Sequence, residues 1–275
     1  MPARRRRASS ERTDLVLVTY NSEPDLARQA PATLREAFHE VISVDNGSAD
    51  RSVGLARDQG FATLCLEGNR GYAAAVNAGI RRSSAPYVAI MNPDVVVDSP
   101  AAVARLLAHL DDPAVGLVAP ALVLPDGARQ DSARRVPAPL ELVARRVSGA
   151  QHGRIDARLA RPVDWVVGAF MCMRREAFDA VGGFDDRYRF YFEDVDFCVR
   201  LWSAGYKVVY DPTVVLRHEH GAGSRKTFFG WAMRQHMRSA ARFYRKHPAL
   251  ATQAGRRAAS RRWVRDTSEL RVEVG

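Results

Sequence analysis

Cysteine is scarce: Cys65, Cys172 and Cys198 are the only three in 275 residues, and they are far apart. An odd, scattered set makes neither a disulfide framework nor a zinc knuckle. Each sits in an apolar run, so buried, reduced thiols are expected, as in a cytoplasmic protein. No apolar run approaches the roughly 20 residues needed to span a bilayer. The longest, Trp165 to Met173, reads as a core strand. No apolar segment follows the basic run Arg4–Arg7, so no signal peptide is read. Glycine-rich phosphate loops are missing as well. No G-x-G-x-x-G follows the first strand, and no G-x-x-x-x-G-K-S/T occurs anywhere. Hydride chemistry on a dinucleotide and P-loop hydrolysis therefore lose most of their support.

Acidic residues are absent between Arg225 and Arg262, a stretch holding 11 Lys or Arg. Together with Arg4–Arg7 these account for more than the whole formal charge of +10, so the body of the chain is mildly acidic. Such segregation suits a polyanionic partner or a solvated helical face. A nucleic-acid-binding protein would interleave aromatics through a basic groove, and this chain confines its charge to the ends, so no nucleic acid is expected.

The organising stretch is Tyr87-Val88-Ala89-Ile90-Met91-Asn92-Pro93-Asp94. Its apolar part reads as a buried parallel strand, and proline forbids further ladder bonding, which delivers Asp94 just past the strand's carboxyl end. Two earlier strands end in the same way. Asp14–Thr19 leads into Tyr20-Asn21-Ser22, and Val41–Val44 into Asp45-Asn46-Gly47-Ser48. Helices are expected up to about Phe38 with a break at Pro31, over Asp50–Gln59, from about Ala73 to Arg82 and over Pro100–Leu110, with a further strand at Phe61–Leu66. Strands alternating with helices of about ten residues imply βαβ units and a mostly parallel, Rossmann-like α/β sheet covered on both faces. Ligands of open α/β sheets bind outside the carboxyl ends of the strands. Thr19, Tyr20, Asn21, Asp45, Asn92 and Asp94 all fall at that edge. A nucleotide there would be held by side chains and a divalent cation, with Asp94 on the metal and Asp45 placed to accept from a base imide.

Val115–Val118 and Pro120–Leu124 extend the sheet, and Pro125–Pro162 reads as a loop with a helical piece near Leu140–Val147. Gln130, Ser132, Arg134 and Arg135 could reach a diphosphate there, solvated arginines being the plainer reading. In the strand Trp165–Met173, Gly168 and Ala169 are small enough to let a ligand approach the backbone. A helix begins at Glu193-Asp194, where the macrodipole favours an ionised carboxylate. An oriented carboxylate is what a general base for a sugar hydroxyl requires, and a simple helix cap is the competing reading. Asp196 and Arg200, at i and i+4, are spaced to pair. Lys207–Asp211 is a strand, followed by His218, His220 and Ser224, which could complete a cation's shell or touch phosphate.

These residues, in this order, resemble the inverting GT-A glycosyltransferases, and within them the bacterial rhamnosyltransferases of cell-wall and O-antigen assembly. The likeness runs from about Leu15 to Tyr244. It rests on Thr19-Tyr20-Asn21-Ser22, Asp45-Asn46-Gly47-Ser48, Asn69-Arg70-Gly71-Tyr72-Ala73 with Asn77, Asn92-Pro93-Asp94-Val95, Gly168-Ala169, Gly182-Gly183-Phe184-Asp185, Glu193-Asp194-Val195-Asp196 and the His218 segment. The resemblance implies a GT-A fold and a donor site drawn from Thr19, Tyr20, Asn21, Asp45, Asn69, Gly71, Tyr72, Asn77, Asn92, Asp94, Gly168 and Ala169. It implies Asp45 on the base, Asp94 as the metal-binding end of a D-x-D-type motif, Asp194 as catalytic base beside Glu193, and His218 on metal or diphosphate. Mg²⁺ or Mn²⁺ would be the cofactor. The first aspartate of the D-x-D pattern is Asn92 here, and His220 competes with His218.

On this reading the chain divides into a disordered basic leader (1–13), a catalytic domain (14–224, split near 124 into a nucleotide-sugar half and an acceptor half) and a basic helical tail (225–275). Phe229, Met233, Met237, Ala240 and Tyr244 recur at helical spacing beside Arg234, Arg238, Arg242 and Arg245. Such an amphipathic helix either lies on an anionic leaflet or packs on the body. The implied activity moves L-rhamnose from a dTDP-activated donor to a saccharide acceptor, lipid-linked, at the inner face of the plasma membrane. Another nucleotide sugar (a UDP-hexose or UDP-galactofuranose) is the alternative donor, and a second copy of the chain is kept as a candidate partner. A nucleotidyltransferase would want a glycine-rich loop after the first strand, which Thr19-Tyr20-Asn21-Ser22 is not.

Overall fold

The computed structural model describes residues 12–139, 141, 155, 157–219 and 231–264. The leader through residue 11, all but residue 141 of the helical piece expected at Leu140–Val147, and His220, Ser224 and Phe229 lie outside the described residues.

Three strands and the helices between them build the first half. β1 (Thr13–Thr19), β2 (Glu40–Asp45) and β3 (Ala62–Cys65) alternate with α1 (Glu23–Leu26), α2 (Pro31–Ala37) and α3 (Ser52–Asp58). α4 (Tyr72–Arg82) then leads into β4 (Tyr87–Met91), β5 (Val95–Val96), α5 (Pro100–Ala108) and β6 (Val115–Val123). Pro31 opens α2 at its first position, where the missing N–H costs nothing, so the stretch up to Phe38 is two short helices with the break at Pro31 that the sequence suggested. β2, β1 and β4 run parallel, and Thr19 pairs with Asp45 in register. Their carboxyl ends therefore share one edge.

Successive side chains of a strand point to opposite faces, and the core shows it. Val16 and Val18 of β1 pack in one apolar cluster, Leu15 and Leu17 in the other. α4 lies close on the first of these faces, because a methyl group at Gly79 would fall 2.4 Å from Val16 Cγ1. β3 is the sheet edge, which leaves Cys65 exposed; Cys172 and Cys198 are buried as expected.

The second half departs from a simple parallel sheet. β7 (Ala133–Arg134) pairs with β9 (Trp165–Val166), and β8 (Arg161–Pro162) pairs with the last strand. The apolar run from Trp165 does not form one strand. It bends at Gly168 and resumes as β10 (Phe170–Arg174), antiparallel between β4 and β6. An antiparallel strand brings its start to the edge where its parallel neighbours end. Phe170 sits opposite Met91, and Asn92 N–H donates to the Ala169 carbonyl at 2.9 Å.

After α6 (Arg175–Ala180) and α7 (Glu193–Ser203) comes β11 (Lys207–His218), longer than the sequence suggested. A bulge between Asp211 and Val215 lets it continue beside β6, and its last residues pair antiparallel with β5: Arg217 with Val96, His218 with Val95. That pairing carries His218 to the end of the Asn92–Asp94 turn.

The tail packs on the body. α8 (Trp231–Lys246) buries Ala240 and Phe243 and packs Tyr244 against the core, while Met237 is 47% exposed, so the seam keeps Ala240 and Tyr244 of the expected stripe and takes Phe243 in place of Met237. Tyr244 Oη donates to the Pro137 carbonyl at 2.7 Å and Ser239 Oγ to that of Phe190 at 2.9 Å. Lys246 Nζ reaches Asp185 at 2.8 Å and Asp196 at 2.9 Å, and His247 Nε2 meets Asp196 at 2.9 Å. In α9 (Gln253–Val264), Trp263 stacks on Trp202 of α7 with centroids 5.8 Å apart. Arg234, Arg238, Arg245, Arg257, Arg261 and Arg262 are exposed on the outside of this pair. No helix among the described residues is long and apolar enough to cross a membrane.

Candidate active site

The turn after β2 is built around Asp45, which is 3% exposed. Its carboxylate accepts from Thr19 Oγ1 at 3.2 Å, Ser48 Oγ at 2.5 Å, Gly47 N–H at 3.1 Å and Ser48 N–H at 2.9 Å. Those four donors match the four lone-pair positions of a carboxylate, so a base imide would have to displace one of them. Asn21 takes a left-handed φ of 48°, which asparagine tolerates, and accepts from Ala49 N–H at 2.8 Å. Between these residues Tyr20 stands half exposed.

Asn69 accepts from Gly71 N–H at 2.9 Å and from Asn46 Nδ2 at 3.3 Å, tying the turn before α4 to the turn after β2. Gly71, at φ +89°, begins α4 against Arg189, whose carbonyl oxygen would lie 3.0 Å from an added Cβ. Asn77 is turned elsewhere. Its amide donates to the Phe184 carbonyl at 2.7 Å and accepts from Phe184 N–H at 2.9 Å, clamping that loop to α4.

The Tyr72 hydroxyl donates to the Gly168 carbonyl at 2.6 Å. Burial, then the charges of Glu193, Asp194 and Asp94, push the phenol well above its ordinary range. Gly168 N–H donates to Asp194 Oδ2 at 3.2 Å, and a Cβ on Gly168 would meet Asp194 Cβ and the Tyr72 ring, each at 3.6 Å. The backbone groups of Gly168 leave the ladder for Tyr72 and Asp194, which is why the apolar run breaks there.

Glu193 and Asp194 open α7 after Tyr191 and Phe192, two consecutive residues with left-handed φ of 66° and 69°. Burial raises both carboxyls, Glu193 to about 8 with the Asp194 charge adding to it. The pair shares its charge unequally. Asp194 accepts from Gly168 N–H and from Val195 N–H at 2.8 Å, whereas Glu193 Oε2 is buried with no partner among the described residues. The first negative charge therefore settles on Asp194, and Glu193 holds the proton. Asp196 serves the fold instead. It is fully buried and bonded to Arg200 Nε at 2.7 Å as well as to Lys246 and His247.

Asp94 and His218 stand side by side, with Glu219 N–H donating to the Asp94 carbonyl at 2.8 Å. His218 Nε2 lies 3.1 Å from Asp94 Oδ1, yet no hydrogen bond is aligned on this buried nitrogen among the described residues. Two donor atoms about 3 Å apart and aimed past each other suit neighbouring ligands of a cation with arms of about 2.1 Å. No group of three or more His, Cys, Asp or Glu able to hold a metal occurs among the described residues. A cation here would thus complete its shell from a ligand's phosphates and water, the usual habit of sites with one or two protein ligands.

Arg134 corrects the solvated reading. Its side chain is 15% exposed, pairs with Asp131 at 2.8 Å and lies over the Trp165 ring at 5.6 Å, and its charge favours ionised Asp194. The two-residue ladder of β7 with β9 puts it there, and no local pattern announces so short a strand.

A sheet with this order, and carboxylates gathered at its carboxyl edge, define a GT-A glycosyltransferase. The chain belongs to glycosyl transferase family 2, whose model matches residues 14–182. Residues 153–222 also match the N-terminal domain of galactosyltransferase. The N-acetylglucosaminyl-diphospho-decaprenol L-rhamnosyltransferase of Mycobacterium tuberculosis is 35% identical over 237 residues, spanning 76% of this chain and 77% of the relative. Rhamnosyltransferase WbbL of Escherichia coli is 37% identical over 89 residues, covering 32% of this chain and 33% of the relative. Among solved structures, the mannosyltransferase PcManGT from Pyrobaculum calidifontis, in complex with GDP-Man and Mn2+, shares the fold at a TM-score of 0.53 and 18% identity. The match covers 92% of this chain and 76% of that one. The enzyme is a glycosyltransferase, and the nucleotidyltransferase reading is set aside.

Proposed function

We propose that this glycosyltransferase moves L-rhamnose from dTDP-rhamnose, with inversion, to a lipid-linked saccharide acceptor in cell-wall or surface polysaccharide synthesis. The observation that carries the chemistry is the junction at Gly168, whose carbonyl accepts from Tyr72 and whose N–H donates to Asp194, beside the Asn92 turn that leads to Asp94. The 35% identity to a relative named for L-rhamnosyl transfer to a diphospho-decaprenol acceptor supports the sugar and the acceptor, and dTDP as its carrier follows from the resemblance to rhamnosyltransferases.

Asp194, held anionic by two backbone N–H groups, takes the proton from an acceptor hydroxyl as its oxygen attacks the anomeric carbon. The bond from that carbon to the diphosphate breaks in the same displacement. Asp94 and His218 are the residues that would hold a divalent ion, which would supply positive charge beside the departing diphosphate. An all-oxygen shell suits Mg²⁺, and the added imidazole shifts the choice towards Mn²⁺. Thr19, Tyr20, Asn21, Asp45, Asn69, Gly71, Tyr72, Asn92 and Gly168 form the donor side on this reading, with Ala169 behind them in the core at 1% exposed. Asn77 supports the loop at Phe184. The catalytic unit spans 14–224, and the outer arginines of α8 and α9 rest on anionic lipid at the cytoplasmic face of the membrane.

A transfer assay tests this with dTDP-rhamnose against a panel of UDP-hexoses, on a lipid-linked N-acetylglucosaminyl diphosphate acceptor. Product from dTDP-rhamnose, of inverted anomeric configuration by NMR, is expected. Turnover with a UDP-hexose or UDP-galactofuranose alone would favour the second reading, which the match to the galactosyltransferase domain supports. Flotation with anionic vesicles at low salt tests the membrane face, and no binding rejects it.

A further inference from the structure

The imidazole of His218 is held from behind as well as in front. Its Nδ1 lies 2.5 Å from Oε1 of Gln130, 88 positions away in the chain. Gln130 is fixed in turn, since its own N–H donates to the Leu122 carbonyl near the end of β6 at 2.8 Å. A carboxamide oxygen only accepts, so Nδ1 carries the proton, and on the neutral ring that a metal ligand requires Nε2 keeps a lone pair. That lone pair faces Asp94 Oδ1 at 3.1 Å on a side chain only 7% exposed. Two acceptors in enclosed contact repel unless a cation lies between them.

We infer that Gln130 is a positioning residue: it fixes the tautomer and ring plane of His218, so that Nε2 is presented together with Asp94 to the divalent cation of the donor complex. Ligating histidines commonly donate their other nitrogen to a carboxylate or carbonyl, which orients the ring and raises its basicity. A neutral carboxamide does this without adding a negative charge beside Asp94 and the incoming diphosphate. The inference rests on the proposed metal-assisted reading of Asp94 and His218, and its test separates the two.

The probe is Mn²⁺ binding to the full chain in saturating dTDP, repeated with UDP, followed by titration of the free Mn²⁺ electron-spin signal. Pulsed measurement of imidazole nitrogen coupling to the bound ion accompanies it. Gln130→Met, nearly the same shape but without the accepting oxygen, should weaken Mn²⁺ about 10–100-fold and reduce the nitrogen coupling. Gln130→Glu, which still accepts from Nδ1, should bind within about threefold of the unaltered chain and keep the coupling. If His218→Ala weakens Mn²⁺ but Gln130→Met does not, the positioning role is wrong and the metal reading stands. Equal losses in Gln130→Met and Gln130→Glu would mean that shape, not the accepting oxygen, matters, and would also overturn it. If neither His218→Ala nor Gln130→Met changes Mn²⁺ affinity, or the unaltered chain shows no nitrogen coupling, both readings fall. Should Gln130→Met not fold, the retained affinity of Gln130→Glu and the coupling in the unaltered chain decide.

Discussion

The Tyr72 hydroxyl donates to the Gly168 carbonyl oxygen at 2.6 Å, joining the first turn of α4 to the bend between β9 and β10. The same glycine donates its N–H to Asp194. One backbone unit therefore sets the spacing between the donor-side helix and the helix that carries the proposed base.

Tyr72→Phe removes that tie and little else. The lost hydrogen bond should cost about 1 kcal/mol, a fall in Tm of about 2–4 °C for a chain of this size. Transfer should drop about tenfold, because small misplacement of reacting groups is expensive in rate. Thermal shift and initial rates measured on one preparation check both, and an unchanged rate would detach Tyr72 from the site.

Glu193 makes stability depend on pH. Its carboxyl moves from 4.5 to about 8 on folding, pushed first by burial and then by the Asp194 charge. Between those values the folded chain binds more protons than the unfolded one, so this group's contribution to stability falls as pH rises through the window. Glu193→Gln should therefore gain on the unaltered chain at pH 8–9 by at least about 1 kcal/mol, with the gap closing towards pH 5. Melting curves across pH measure it, and a pH-independent gap would contradict the assignment of the shared proton.

Asp196 holds the tail to α7. Burial opposes its ionisation, but the bonds from His247, Lys246 and Arg200 outweigh this and keep its carboxyl below the usual range. Stability from such a group is present above its unfolded value of 3.8 and is lost as pH falls below it. Asp196→Ala removes the carboxylate partner of Arg200 and leaves Lys246 with Asp185 alone, and should cost about 3–5 kcal/mol in urea unfolding. A loss under about 1 kcal/mol would mean that α8 docks by apolar contact alone.

The first half of the fold could be read from residues because its signals are local. Apolar runs stop at Thr19, Asp45 and Asn92, and each helix lies between two such stops. The second half could not. Nothing in Phe170–Arg174 encodes its direction, and antiparallel insertion between β4 and β6 depends on partners about 50 to 85 positions away. Site residues divide in the same way. Asp94 and Asp194 were legible as carboxylates delivered at element ends, whereas the saturation of Asp45, the clamp from Asn77 to Phe184 and the reach of Gln130 to His218 are long-range pairings without a local pattern. In the tail, helical spacing was plain, but which face is buried depends on Lys246 and His247 meeting Asp196.

The most direct test compares chemistry with binding in Asp194→Asn. Single-turnover transfer should fall by about 10²–10⁴, while affinity for the nucleoside diphosphate with Mn²⁺ stays within about threefold. Asp94→Ala should do the reverse first, weakening the metal-supported nucleotide complex. Near-normal turnover in Asp194→Asn would contradict the account, since another group would then be taking the acceptor's proton.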